Sequence, residues 1–416
     1  MRNVLISGAG IAGPTLAYWL ARHGFRPTVV EPAPAARPGG SPVDVRGPAL
    51  RVAERMGVLP QLRAAGTGVT SLRFVDAAGR QVGRVATGGR RGAGEVELPR
   101  GDLAALLSEA AREHAEFLFG DSISTLAQDA DGVDVTFEHA PPRRFDLVIG
   151  ADGLHSRVRR LAFGPERVHV RHLGMYVATV PLLSGPDDPA DGVRMYNAPG
   201  RAAAVHPGRG RSLGFFAFRH PEVTDLHHRD LAGQRRLLGA AYAEDERTGA
   251  WRLPELLDRA RTADEFYFDA VAQVRLDTWS HGRIGLLGDA ASAVSLFGDG
   301  SSLALVAPTP SPPPWPTTPN RPPPCTTTKP PTAASSTPAS ATSSAPQPCW
   351  CPAPAGASAP ATSPPTCSPP AARAQPPGAR GSADVRLRSV GDADLLAGLT
   401  LYGQGLGELR RRPRKR

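Results

Sequence analysis

The stretch Val4-Leu5-Ile6-Ser7-Gly8-Ala9-Gly10-Ile11-Ala12-Gly13 constrains this 416-residue chain more than any other. An apolar run leads into G-x-G-x-x-G, and the pattern from Pro14 to His23 reads as a helix closed by Gly24. A second apolar run, Pro27 to Val30, follows and ends on Glu31. Strand, glycine turn, helix, strand and terminal acid in this order form a βαβ dinucleotide fingerprint. The glycines permit a tight turn and let a pyrophosphate approach the helix N-terminus. Gly8, Gly10, Ile11, Ala12 and Gly13 are therefore candidate cofactor-binding positions, and Glu31 is placed to accept from a ribose hydroxyl. An acid at that place disfavours a 2′-phosphate in the same site.

Two further segments repeat the strand-then-turn pattern. Phe145 to Ile149 feeds Gly150-Ala151-Asp152-Gly153-Leu154-His155-Ser156-Arg157-Val158-Arg159, and Arg283 to Leu287 runs into Gly288-Asp289-Ala290-Ala291. Each ends on an aspartate at a small-residue turn, where an α/β sheet meets its ligand. Taken singly, each is also compatible with an ordinary loop aspartate.

In this order the segments resemble the single-component flavin-dependent aromatic hydroxylases of the p-hydroxybenzoate hydroxylase type, across residues 1–305. The resemblance implies FAD as cofactor, NADPH or NADH as reductant and O2 as oxidant. It further implies oxygen transfer through a flavin C4a-hydroperoxide to a small aromatic or polyketide-like substrate. It places Asp152 in a motif tied to FAD and nicotinamide binding, and Asp289 on the ribityl or ribose part of FAD. Pro99-Arg100-Gly101-Asp102 matches a helix start whose arginine, Arg100, contacts FAD. Gly39-Gly40 and Val43-Asp44-Val45-Arg46-Gly47 fall where the family's chain passes the flavin ring, so Arg46 joins the candidates, together with Gly298 and Gly300 of the third motif. Ser292 stands where the family commonly has His, and Phe297-Gly298-Asp299-Gly300 is one residue short of the commonest turn. These departures feel closest to the tetracycline-inactivating branch. Because the cofactor carries the chemistry, no acid–base residue is assigned. Arg46 could stabilise negative charge at the flavin edge or form a surface salt bridge, and no metal site is expected.

The fold class expected is α/β: a Rossmann-like FAD-binding domain, 1–165 and 266–306, with an inserted, mostly antiparallel β-sheet substrate domain, 166–265. Within the insert, Tyr176 to Leu183, Val193 to Tyr196, Ala202 to His206 and Ser212 to Phe218 read as strands, and Asp230 to Glu244 and Trp251 to Ala260 as helices. Phe266 to Val274 reads as a strand returning to the FAD domain. Tyr176, Tyr196, Phe215, Phe216, Phe218 and Tyr267 could line an aromatic pocket, although core packing is the better reading for any one of them.

Composition breaks sharply near residue 306. Residues 1–306 hold 36 of the 48 basic and 35 of the 39 acidic residues, so the alkaline balance belongs to the remainder, with six positive charges between Arg410 and Arg416. A nucleic-acid partner would need a basic face on a folded domain, and a membrane span about 20 apolar residues; neither is present in the sequence. All four cysteines (Cys325, Cys349, Cys351, Cys367) also lie beyond 306, and no signal peptide opens the chain. A cytoplasmic enzyme acting on a small molecule is expected. The sequence says nothing of oligomeric state.

Residues 307–383 contain no Leu, Ile, Val, Phe, Tyr, Met, Asp, Glu or His. Such a segment cannot offset its ordering entropy by burial, which predicts a disordered Pro-rich tail, with a basic segment, 384–416, of unassigned structure after it. Nearly all its residue types have C or G as the middle codon base, as a GC-rich gene yields when read out of phase. The alternatives to an active monooxygenase are therefore an inactive or weakly folded product of a frame-shifted gene, or an FAD-dependent reductase of the same fold. A plain NAD-dependent dehydrogenase leaves the two later aspartate turns unexplained. A natural Pro-rich linker is the other reading of the tail. Translating the remaining two frames past codon 305 is expected to restore an apolar, helix-patterned continuation; two frames without one would reject the shift.

Overall fold

The computed structural model describes residues 2–35, 41–86, 94–183, 191–208, 211–293 and 300–306, all in the first of two compact units, Met1–Pro352. The tail segments 307–383 and 384–416, and the expected turn residues Gly39, Gly40 and Gly298, lie outside the described residues.

A six-stranded sheet runs in the order Ser280–His281, Ile284–Leu286, Leu147–Gly150, Asn3–Ser7, Arg26–Glu31, Glu116–Phe119. Every neighbouring pair is parallel except the first. Val4, Leu5 and Ile6 are each at most 1% exposed. That continuous apolar run is what a central parallel strand covered on both faces requires. Val4 and Ile6 face a core shared with the fingerprint helix, Ala12–Arg22, and the helix Arg100–Arg112, whereas Leu5 faces the opposite core with Val148 and Leu286.

A seven-stranded sheet forms the second layer: Tyr267–Val274, Val170–Leu182, Ser212–Arg219, Arg201–His206, Gly192–Ala198, Ser71–Val75, Gln81–Ala86. It is antiparallel apart from the parallel pair Gly192–Ala198 with Ser71–Val75. The expected antiparallel insert is thus present, but two segments sit elsewhere than expected. Tyr267–Val274 does not rejoin the six-stranded sheet; it is the edge strand paired to Val170–Leu182. Ser71–Val75 and Gln81–Ala86, from the portion expected in the first domain, extend the other end. Period-two alternation identifies a strand but not its partner, so neither placement was legible.

Helices Leu231–Arg247 and Leu253–Thr262 close one face of this sheet. Asp245, 4% exposed, accepts from the Tyr196 hydroxyl at 2.9 Å and from the Arg201 guanidinium, fixing the first helix to two strands. Burial, with the Asp245 carboxylate beside it, pushes the Tyr196 hydroxyl up to about 12. A two-stranded ribbon, Pro42–Val45 against Val96–Pro99, completes the frame of the site. Among the described residues no helix is long and apolar enough to cross a membrane. Asp245→Ala strands a buried phenol and a guanidinium, and is expected to lower stability by about 3 kcal/mol, read as a lower urea midpoint with unchanged m-value; an unchanged midpoint would reject the role.

Candidate functional site

Three strand ends meet at the glycine turn. Gly8 has φ +105°, and a Cβ on it would lie 2.5 Å from the Ala151 carbonyl oxygen. A Cβ on Gly13 would lie 1.9 Å from the Gly8 carbonyl oxygen. These two glycines are required by the protein's own backbone. Gly10 differs: a Cβ there meets nothing within 4 Å, so the space beside it is open to a ligand. No side chain caps the N-terminus of Ala12–Arg22, which leaves Ile11, Ala12 and Gly13 presenting N–H groups of the first turn to an anion.

Glu31 ends the second strand beside this turn. Its carboxylate accepts from Ala9 N at 2.8 Å and Ala33 N at 3.0 Å. It therefore fixes the turn and lies at the edge where a ribose would be held.

Asp152, expected from the sequence as a cofactor contact, is engaged by the protein's own donors. Its carboxylate accepts from the hydroxyls of Ser7 (3.3 Å) and Ser156 (2.5 Å) and from the backbone N–H of Arg157 (2.8 Å) and Val158 (3.1 Å). It clasps the first strand to the start of the helix Arg157–Phe163, where Ser156 is the N-cap. Sequence reasoning missed the residue that extends this clasp. Arg159 is fully buried; it donates to Leu154 O at 2.5 Å and Ala290 O at 3.1 Å, joining the second aspartate motif to the third. Nothing in the sequence separates it from Arg157 and Arg160, which are on the same helix. The Ser156 cap, by contrast, had a sequence signal in its place directly before the helix.

Asp289 follows the strand Ile284–Leu286 in a 3₁₀ turn, Gly288–Ala290. Arg100, first residue of its helix, approaches it at 3.9 Å. Burial raises the Asp289 carboxyl above its ordinary range, with Arg100 opposing. Gly300 opens the helix Gly300–Val306, and a Cβ on it would lie 3.7 Å from the Asp289 carboxylate. That helix is stitched to the ribbon: Ser301 and Ser302 donate to Asp44 O at 2.8 and 3.0 Å, and Arg46 N donates to the Ser302 hydroxyl at 3.1 Å. The structure thus brings Arg46, Arg100, Asp289 and Gly300 to the same edge as the glycine turn. Ser301 and Ser302 were not singled out in the sequence because their partner is a backbone carbonyl more than 250 residues away.

Of the six candidate pocket aromatics, Tyr176, Tyr196, Phe216 and Phe218 are core residues packed under the two helices, the better reading for each from sequence. Phe215 falls on the other sheet face, in an apolar cluster with Leu72, Met195 and Ala204; Tyr267, 47% exposed, is also outside the core. A separate cleft of about 560 Å³, lined in part by Asn3, Arg26, Thr28, Glu116 and Arg143, sits at the N-terminal ends of the parallel strands. That is the end opposite to where such sheets bind ligands, and Arg143 and Glu116 neutralise each other across it at 2.7 Å.

Residues 1–304 match a family described as FAD binding domain. An uncharacterized protein of Mycobacterium tuberculosis (strain H37Rv) is 44% identical over 315 residues, 74% of this chain and 82% of that protein. A flavin-dependent monooxygenase of Legionella longbeachae is 34% identical over 318 residues, 73% of this chain and 78% of that one. The crystal structure of a tetracycline destructase superposes with a TM-score of 0.66 at 33% identity, covering 74% of this chain and 79% of its own. The family match ends where the composition breaks. Since a Cβ on Gly10 would meet nothing of the protein within 4 Å, Gly10→Ala is expected to keep the melting temperature while weakening FAD binding about tenfold or more, whereas Gly13→Ala should lose the fold itself; thermal melts paired with flavin titrations check both, and a Gly10→Ala protein with unimpaired FAD affinity would contradict the assignment.

Proposed function

The chain belongs to the FAD-binding-domain family and is an FAD-dependent monooxygenase, and on that footing we propose which of its residues hold the cofactor and what class of molecule it oxidises. Bound FAD supplies the redox chemistry that, in this family, takes electrons from NAD(P)H and activates O2 for hydroxylation. The protein's part is to bind, orient and exclude water.

The pyrophosphate lies against Gly8, Gly10, Ile11, Ala12 and Gly13, at the uncapped helix start. The observation that carries this assignment is the open space at Gly10 between two glycines whose own Cβ positions are closed by backbone. Glu31 accepts from the adenosine ribose. Arg100 and Asp289 face the middle of the cofactor, the first supplying positive charge and the second an acceptor for hydroxyls. The ligand hydroxyls and Arg100 offset what burial takes from the ionised Asp289. Arg46 and Gly300 lie on the flavin side. Asp152 acts one step back, through Ser7 and the helix it caps.

The substrate is a small, largely apolar molecule of aromatic or polyketide-like type, held between the flavin edge and the open face of the seven-stranded sheet. The apolar cluster of Leu72, Met195, Ala204 and Phe215 supports this, as does the similarity to a tetracycline destructase. Sheet membership supports a division in which 71–86 and 166–274 form the substrate domain and the remaining described residues the FAD domain.

A second reading, a chain that folds weakly because its family sequence stops, is favoured by the end of the match at residue 304. One preparation separates the two. The purified protein is expected to show flavin absorption bands near one FAD per chain, and to couple NAD(P)H oxidation and O2 uptake to hydroxylation of an aromatic or polyketide substrate. A protein that stays colourless with added FAD would establish the second reading.

A further inference from the structure

Tyr267 and Asp269 stand two apart on the edge strand Tyr267–Val274, so their side chains share one face. The Tyr267 hydroxyl lies 3.4 Å from Asp269 Oδ2, and Asp269 Oδ1 lies 3.1 Å from His155 Nε2. On its other side, His155 Nδ1 lies 2.8 Å from Glu166 Oε1. Carboxylate oxygens only accept. Both ring nitrogens of His155 therefore carry protons, and the Tyr267 proton points at Asp269, leaving the phenolic oxygen with its lone pairs free to accept.

The place where this oxygen sits is set by its neighbours. Nearly half of Tyr267 is exposed, yet burial of its hydroxyl end raises its pKa first, with Asp269, Arg100 and Asp289 all acting on it. The last two are the residues assigned to the middle of FAD, and Asp269 ties Tyr267 to His155, the residue before the Ser156 that Asp152 joins to the end of the first strand. We propose that Tyr267 contacts the cofactor as a fixed hydrogen-bond acceptor for one of its polyol hydroxyls, oriented by Asp269, His155 and Glu166 as positioning residues. This rests on the cofactor placement above and adds a contact and a pH dependence that the motifs do not contain.

Charge around His155 makes the device titratable. Burial lowers its pKa, but Asp269 and Glu166 outweigh it and hold the imidazolium at about 9. The His228 ring stacks on it at 4.4 Å, with His227 4.2 Å beyond. Burial, then the His155 charge, then His227 and Arg229 hold His228 at about 4, so that ring stays neutral while His155 is charged. Arg159 and Arg160 approach Glu166 at 3.9 and 3.6 Å. Because the folded pKa of His155 is raised, its contribution is present at neutral pH and is lost as the pH rises through about 9. Asp269 then loses its charged partner, and Tyr267 its orientation.

The test is FAD affinity of the full chain, by flavin fluorescence titration from pH 7.0 to 9.5, with a thermal melt of each protein. Tyr267→Phe is expected to melt with the wild type and bind FAD about five- to tenfold more weakly at pH 7.0. His155→Gln keeps a donor on Asp269 but cannot titrate, so the wild-type to His155→Gln affinity ratio should fall about threefold across the range; taking the ratio removes the ionisation of flavin itself. Tyr267→Phe binding within about twofold of wild type, or a flat ratio, overturns the inference and leaves the cofactor assignment standing. Should Tyr267→Phe not fold, the ratio alone decides. A wild-type chain that binds no FAD at any pH overturns both.

Discussion

Backbone contact at the glycine turn is the constraint on which the site depends. The Gly8 carbonyl occupies the volume that a side chain on Gly13 would need, and the Ala151 carbonyl the volume for one on Gly8. Only with both Cβ atoms missing can the helix Ala12–Arg22 start directly over the ends of its neighbouring strands. That contact sets Ala9 N against Glu31 and Ser7 against Asp152. From Asp152 the order passes through Ser156 to Arg159, and from the Arg159 guanidinium to Ala290, beside Asp289. Three segments far apart in sequence are thus held in one geometry by backbone packing and a few buried hydrogen bonds.

The polar residues at this edge divide by use. Asp152 has its carboxylate filled by protein donors, so it works on the fold. Asp289 lies where burial works against its charge and, among the described residues, has Arg100 as its charged neighbour within 4 Å. A carboxylate kept in such a place is suited to a ligand that brings its own hydroxyls. Arg159 is held in a similar way: a fully buried guanidinium with two carbonyl partners, Glu166 at 3.9 Å and an Nε that finds none. Such a group serves position more than stability.

The seven-stranded sheet is asymmetric for a related reason. One face is closed by two helices over Tyr176, Phe216, Phe218 and Tyr242, and the Tyr242 hydroxyl reaches Ala202 O and Ala217 O on neighbouring strands. The other face carries smaller, separate apolar clusters around Met175 and Met195. Large aromatics gather where helices can cover them, and Phe215 and Tyr267 are left on the face the helices do not cover.

The sequence by itself determined the glycine turn, the strand–turn–aspartate units, the antiparallel insert and the break at residue 306, because each is written in local spacing or composition. Short apolar runs between turn residues marked the strands, and the missing apolar residues marked the tail. Only the tertiary structure decided partnership. It placed Tyr267–Val274 and Ser71–Ala86 in the second sheet, gave Asp152 its protein donors, and chose Arg159 over Arg157 and Arg160 for burial. It also joined Tyr267 and Asp269 to His155 and Glu166, more than 100 residues earlier in the chain. The physical reason is that a hydrogen bond between distant residues depends on where two elements are brought together, and that is settled by the packing of whole layers.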